Sequence, residues 1–146
     1  MPITILMADD DPDDRLLTCE AFEETKLTHN LRFVKDGEEL MDYLYRRGQY
    51  TDPNLSPQPG VILLDLNMPR KDGREALIEI KSDPKLRIIP IVILTTSKAE
   101  EDILNTYNLG ASSFITKPAT FDKLIDTVYV LGKYWLEIAE LPLKVS

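Results

Sequence analysis

The chain has 146 residues, 17 of them Lys or Arg against 25 Asp or Glu, for a formal net charge of -8. A surplus of anions excludes a protein held on nucleic acid by bulk electrostatics, no apolar run approaches the roughly 18 residues that cross a bilayer, and the lone Cys19 excludes an internal disulfide. With 43% hydrophobic and 29% charged residues, this length reads as one domain, residues 1–146, able to bury roughly 68–70% of its unfolded surface.

Along the chain, strand-length apolar runs alternate with helical patterns. Ile3 to Ala8 reads as the first strand, and its Met1-Pro2 approach has neither the basic region nor the apolar stretch of a secretory leader, so a cytoplasmic, soluble protein is expected. Asp11 then caps the first helix, with Pro12 at N1, where its missing N–H costs nothing. Cys19 is expected as a small apolar filler on that helix, and His29, the only histidine, as a surface residue of the loop that follows. Leu31 to Val34 reads as the second strand. Asp36-x-x-Glu39 reads as a capping box opening the second helix, and Gly48 as its stop. Tyr50 to Gly60, with three prolines and no hydrophobic period, is a surface loop. Val61 to Leu64 is the third strand, followed by a helix opened by Asp72-x-x-Glu75 and ended at Asp83-Pro84. Ile91 to Leu94 is the fourth strand, with a helix from Ser97-x-x-Glu100 to Gly110. Ser113 to Thr116 is the fifth strand. A last helix begins near Thr120, carries Leu124, Val128, Leu131 and Trp135 at helical spacing, and extends to about residue 139.

Five such units predict an α/β fold with a parallel sheet. In that architecture the ends of the strands share one edge, where ligands bind. Asp9 and Asp10 follow the first strand, Asp65 the third, Thr95 the fourth and Lys117 the fifth. Carboxylates at about 4 Å repel by roughly 4 kcal/mol at an effective dielectric of 20, so three in one pocket need a cation, and an all-oxygen set with room for water suits Mg²⁺. Asp65 is then the best-placed nucleophile, Lys117 an electrostatic clamp on phosphoryl oxygens, and Thr95 a hydroxyl donor to one of them. The acids Asp9 to Asp14 also fit a calcium loop by spacing, but Asp14 stands where glycine is required and Pro12 intrudes. Asp13 and Asp14 are read as favouring the first turn of the helix through its dipole.

Asp9-Asp10, Asp65-Leu66-Asn67-Met68-Pro69 with Asp72-Gly73, Leu94-Thr95-Thr96 and Lys117-Pro118 together resemble the receiver domain of two-component response regulators, over residues 3 to about 132. The resemblance implies a flavodoxin-like, three-layer (βα)5 fold with sheet order 2-1-3-4-5. It implies Asp65 as the phosphoacceptor; Asp10, Asp65 and the Asn67 carbonyl as Mg²⁺ ligands, with Asp9 acting through water; Thr95 and Lys117 on the phosphoryl group; and a cis Lys117–Pro118 bond. Phe114 stands at the switch aromatic position. The Asp10 to Arg15 helix start, the proline-bearing loop, the Leu94 to Ser97 turn and the Tyr134-Trp135-Leu136 ending are similar to the small stand-alone regulators paired with cyanobacterial phytochromes.

What the resemblance implies is a phosphoacceptor with Mg-dependent self-phosphorylation and autodephosphorylation, not a conventional enzyme. Its phosphodonor would be a sensor histidine kinase, and neither DNA nor membrane is an expected partner. A homodimer is expected through the fourth helix, fifth strand and fifth helix, with Tyr107, Phe114 and Tyr129 at the interface. A phosphatase of the haloacid-dehalogenase type would need a second acidic pair at a strand end after the lysine; this chain has only Asp122 and Asp126, inside a helix pattern. A flavodoxin-like binding module would need a phosphate cradle where this chain puts five carboxylates.

Overall fold

The computed structural model of the protein describes residues 2–142. Met1 and residues 143–146, which the single-domain expectation includes, lie outside the described residues.

Alternation is visible within each central strand. In β1 (Thr4–Ala8), β3 (Val61–Leu64) and β4 (Ile91–Thr95) every residue is buried. Each strand feeds two cores, because successive side chains point to opposite faces. Leu6, Ala8, Ile62, Leu64, Ile91 and Ile93 enter one. Ile5, Met7, Val61, Leu63, Val92 and Leu94 enter the other. The edge strands β2 (Asn30–Val34) and β5 (Ser113–Thr116) are only partly buried. All pairings are parallel and the order is β2-β1-β3-β4-β5, as the resemblance implies. Helices α1 (Pro12–Thr25) and α5 (Phe121–Gly132) pack together over one face, while α2 (Gly37–Tyr45) and α3 (Gly73–Ser82) pair on the other and α4 (Glu100–Asn108) leans on β5. Among the described residues no helix is long and apolar enough to cross a membrane.

The local chemistry mostly follows the expectations. Asp11 caps α1 by accepting from the Asp13 N–H, Asp72 and Glu75 form a full capping box, and Thr120 caps α5. Asp36 caps α2, but Glu39 closes its box on the Lys35 N–H at 2.7 Å, one residue early. Ser97 does not cap α4: its hydroxyl donates to Asp102, and the helix starts at Glu100 behind Ala99. α2 stops at Arg46, two residues before Gly48, because Arg46 takes a left-handed conformation (φ 54) and donates its side-chain Nε–H to the Ser56 carbonyl of the proline loop. That loop is further held by the Tyr43 hydroxyl, which donates to the Pro57 carbonyl at 2.7 Å. Helical structure after α5 continues to Ile138, with the segment Lys133–Ile138 wound as a π-helix.

Three expectations are corrected. Cys19 is half-buried and directs its thiol to Glu23, so it is not core filler; Thr18, Ala21 and Phe22 form the buried side of α1. His29 is half-buried rather than on the surface, packed on the Phe22 ring with Nδ1 2.6 Å from the Leu27 carbonyl. The Lys117–Pro118 bond is trans, the isomer that X–Pro bonds favour by about 0.5–1 kcal/mol.

Glycine fixes how α3 meets the third strand. The Gly73 N–H donates to the Leu66 carbonyl at 2.9 Å, and a Cβ there would lie 2.1 Å from the Asp65 carbonyl oxygen. Backbone, not a yielding side chain, would have to move. Gly73→Ala is therefore expected to destabilise the protein by about 1–3 kcal/mol, the cost of overpacking, read as a lower urea midpoint at unchanged slope.

Candidate functional site

Parallel register brings the reactive groups together at the carboxyl edge of the sheet. The Asp9 N–H donates to the Val34 carbonyl and the Asp65 N–H to the Ala8 carbonyl, so both acids continue their strands by one ladder bond. The Lys117 N–H does the same to the Thr95 carbonyl at 2.7 Å. Side chains at the ends of four different βα units thus face one small volume.

Asp9 is fully buried. Its Oδ1 accepts from the Asp11 N–H at 3.0 Å, its Oδ2 from Lys117 Nζ at 2.8 Å, and its carbonyl from Arg15 at 2.7 Å. Burial raises its pKa, partly offset by the bonds from Lys117 and Asp11. Asp10, next in the chain, is exposed. Asp65 is 7% exposed; its Oδ1 accepts the Thr95 hydroxyl at 2.9 Å and its Oδ2 the Lys117 ammonium at 3.1 Å. Thr95 is buried without exposure. One oxygen from each of Asp9, Asp10 and Asp65 lies within 4.8 Å of the others. At that spacing like charges repel by about 3 kcal/mol per pair at an effective dielectric of 20. One ammonium cannot balance three carboxylates, and the oxygen-only donor set, open to solvent at Asp10, fits a hard divalent cation. Asn67 is exposed on the following loop and sends its N–H to Asp65 Oδ1 at a long 3.4 Å.

Lys117 opposes burial with charge. Desolvation acts to lower its pKa, but hydrogen bonds to Asp14 and Asp9 and the charges of Asp9 and Asp65 overcome it and raise the pKa above the ordinary lysine value. The ammonium stays protonated across the neutral range.

Phe114 is half-buried against the core on the α2–α3 side. It pairs with Ile93 in the β4–β5 register, and Thr116 pairs with Thr95, so Phe114 and Thr95 share one face of the sheet. Tyr107 and Tyr129 are 47% and 44% exposed on α4 and α5. The Tyr107 hydroxyl accepts the Phe114 N–H at 3.1 Å, capping a donor on the free edge of β5.

Sequence reasoning missed two parts of this site. Asp14, assigned only to the first turn of a helix, bonds Lys117 Nζ at 2.7 Å. Arg74, just inside α3, makes a bidentate pair with Asp102 of α4 at 3.0 and 2.9 Å, and the Ser97 hydroxyl donates to the same carboxylate at 2.7 Å. Arg74 and Ser97 together hold Asp102 below its ordinary pKa. Neither left a local signal: Asp14 meets a lysine 103 residues away, and Arg74 and Asp102 are 28 residues apart.

Known proteins resemble this chain over nearly its whole length. The model of the response regulator receiver domain matches residues 5–129. The response regulator Rcp1 of Synechocystis sp. is 40% identical over 141 residues, covering 97% of this chain and 94% of that one. The crystal structure of the phosphorylated cyanobacterial phytochrome response regulator RcpA superposes with a TM-score of 0.90 at 41% identity, over 98% of this chain and 100% of that one. The Mn(2+)-bound form of Rcp1 superposes with a TM-score of 0.87 at 39% identity, over 97% and 100%. With its edge-on carboxylates, its sheet order and a match that spans nearly all of it, the chain belongs to the response regulator receiver domain family of two-component signalling.

Proposed function

We propose that the protein is a single-domain, cytoplasmic response regulator that accepts a phosphoryl group on Asp65 from a sensor histidine kinase of the phytochrome class. The carrying observation is the environment of that one carboxylate: at the tip of a buried strand, one oxygen holds the Thr95 hydroxyl and the other the Lys117 ammonium. The kinase class rests on the likeness to Rcp1 and RcpA over almost the whole chain.

In the reaction a carboxylate oxygen of Asp65 attacks phosphorus. The bond from phosphorus to the donor's leaving atom breaks, and the leaving group takes the electron pair. A mixed anhydride on Asp65 results. Lys117 and Thr95 already stand on Asp65 as donors and would turn to the phosphoryl oxygens, where charge develops. Asp10, Asp65 and the Asn67 carbonyl, with Asp9 through water, would hold Mg²⁺, which would supply charge neutralisation at the phosphoryl oxygens. The protein does not turn over a substrate pool; it makes and hydrolyses its own acyl phosphate.

Phosphorylation puts a phosphoryl group of about -1.5 to -2 charges in place of the single carboxylate charge of Asp65, drawing Thr95 toward the new oxygens and freeing space on the sheet face it shares with Phe114. Tyr107, which accepts the Phe114 N–H, and the exposed Tyr129 of α5 form the homodimer face with Phe114, so the signal leaves as a protein contact.

Three outcomes are expected. Incubation with Mg²⁺ and acetyl phosphate gives a phosphoryl adduct in the intact mass of the wild type and none in Asp65→Asn; no adduct on the wild type, or its persistence in the mutant, refutes the assignment. Millimolar Mg²⁺ raises the thermal midpoint of the wild type, by mass action on the folded state. Asp10→Asn, relieved of one like charge, melts higher than the wild type without metal and gains little from Mg²⁺. Sedimentation shows a dimer that Tyr107→Ala with Tyr129→Ala converts to monomer; a monomeric wild type at micromolar concentration, phosphorylated or not, removes the dimer.

A further inference from the structure

An ammonium has three N–H donors and no acceptor. In Lys117 all three are engaged, by Asp14 Oδ2 at 2.7 Å, Asp9 Oδ2 at 2.8 Å and Asp65 Oδ2 at 3.1 Å. A lysine that is to clamp phosphoryl oxygens has to give up at least one of these partners. The three differ in what release costs. The Asp9 side chain is 0% exposed, so Lys117 leaving it would strand a buried charge, a step that is strongly unfavourable. Asp65 is the acceptor itself, and its oxygen becomes part of the anhydride. The Asp14 side chain is 32% exposed, so water replaces the ammonium there at small cost. Asp14 is also outside the set of carboxylates whose oxygens converge for a cation, which consists of Asp9, Asp10 and Asp65.

We infer that Asp14 is a positioning residue that restrains Lys117 in the unphosphorylated protein, and that exchange of this contact for a phosphoryl oxygen sets the rate at which Asp65 is phosphorylated. The inference rests on the assignment of Asp65 as phosphoacceptor. Location supports it. Asp14 and Lys117 line the same small cavity of about 110 Å³, with Leu17, Pro118 and Phe121, and Asp9, Asp10 and Asp65 do not line it. Of the three contacts of the ammonium, that to Asp14 is the shortest and that to Asp65 the longest. Asp13, beside it, carries the same charge on the same turn, is exposed, and makes no ion pair among the described residues. It therefore separates a specific hold on Lys117 from the general field of the acidic helix start.

The test follows intact mass against time for the wild type, Asp14→Asn, Asp14→Glu, Asp13→Asn and Asp65→Asn with Mg²⁺ and a series of acetyl phosphate concentrations. Acetate is the leaving group throughout. Asp14→Asn keeps an acceptor oxygen but loses the charge, and is expected to raise the maximal rate about two- to fivefold, the range that a partly exposed ion pair is worth. The acceleration appears in the maximal rate, whereas simple repulsion of the anionic donor would appear in its half-saturating concentration. Asp14→Glu returns the rate toward that of the wild type, and Asp13→Asn matches the wild type. An Asp14→Asn rate equal to or below the wild type, or an equal acceleration by Asp13→Asn, overturns the inference while an adduct absent from Asp65→Asn leaves the acceptor assignment standing. No adduct on the wild type overturns both.

Discussion

A buried carboxylate needs a partner, and in this molecule the partner comes from the far end of the chain. Lys117 reaches Asp9 across 108 residues and Asp65 across 52. That contact exists only when β1, β3, β4 and β5 lie in register, because each reactive side chain sits at or just beyond the last ladder position of its strand. The site is thus a consequence of the sheet, and the sheet carries at its edge a charge imbalance that one lysine does not cancel. Repulsion of about 3 kcal/mol between neighbouring carboxylates makes the pocket a place where a cation is stabilised.

The loops that bear these groups are held by backbone approach rather than by bulk. Gly73 brings the start of α3 against Asp65, and Gly37 brings the start of α2 against the Lys71 carbonyl, which its N–H meets at 2.9 Å. Side chains larger than hydrogen would force the chain apart at both points. The result is a loop after Asp65 braced from two helix starts, with the capping box of Asp72 and Glu75 satisfying the backbone donors there. Among the described residues no buried side-chain polar atom lacks a partner, as expected where burying polar groups is costly unless they are bonded.

From that loop two polar connections lead toward the face formed by α4, β5 and α5. Arg74 of α3 clasps Asp102 of α4, and Ser97 in the turn after Thr95 bonds the same carboxylate. Tyr107 of α4 takes the edge N–H of Phe114. The start of α3 and the turn after Thr95 are thus tied to α4 through charge-assisted bonds, and Thr95 shares one sheet face with Phe114 of β5. These are discrete contacts that are either made or broken, the kind of element on which a two-state response depends.

Much of this was legible in the residues. Alternating apolar runs gave the strands to within a residue, and Asp11, Asp36, Asp72 and Thr120 marked helix starts, because strand burial and helix capping are local chemistry that a short window of sequence contains. The position of Asp9, Asp10, Asp65, Thr95 and Lys117 after successive strands was enough to gather them at one edge, since in a parallel sheet the direction of the chain fixes the edge. Ser97 misled because its hydroxyl had a better partner in Asp102 than in the backbone. Gly48 misled because Arg46, tied to Ser56, ended the helix first. Cys19 and His29 were misjudged because burial depends on which side of α1 meets α5 and on what the loop after it packs against. Sequence by itself determined the order of the elements and which groups reach the site; only the tertiary structure decided how the three hydrogens of Lys117 are shared among Asp9, Asp14 and Asp65, because that sharing depends on distances between chain segments that no local pattern encodes.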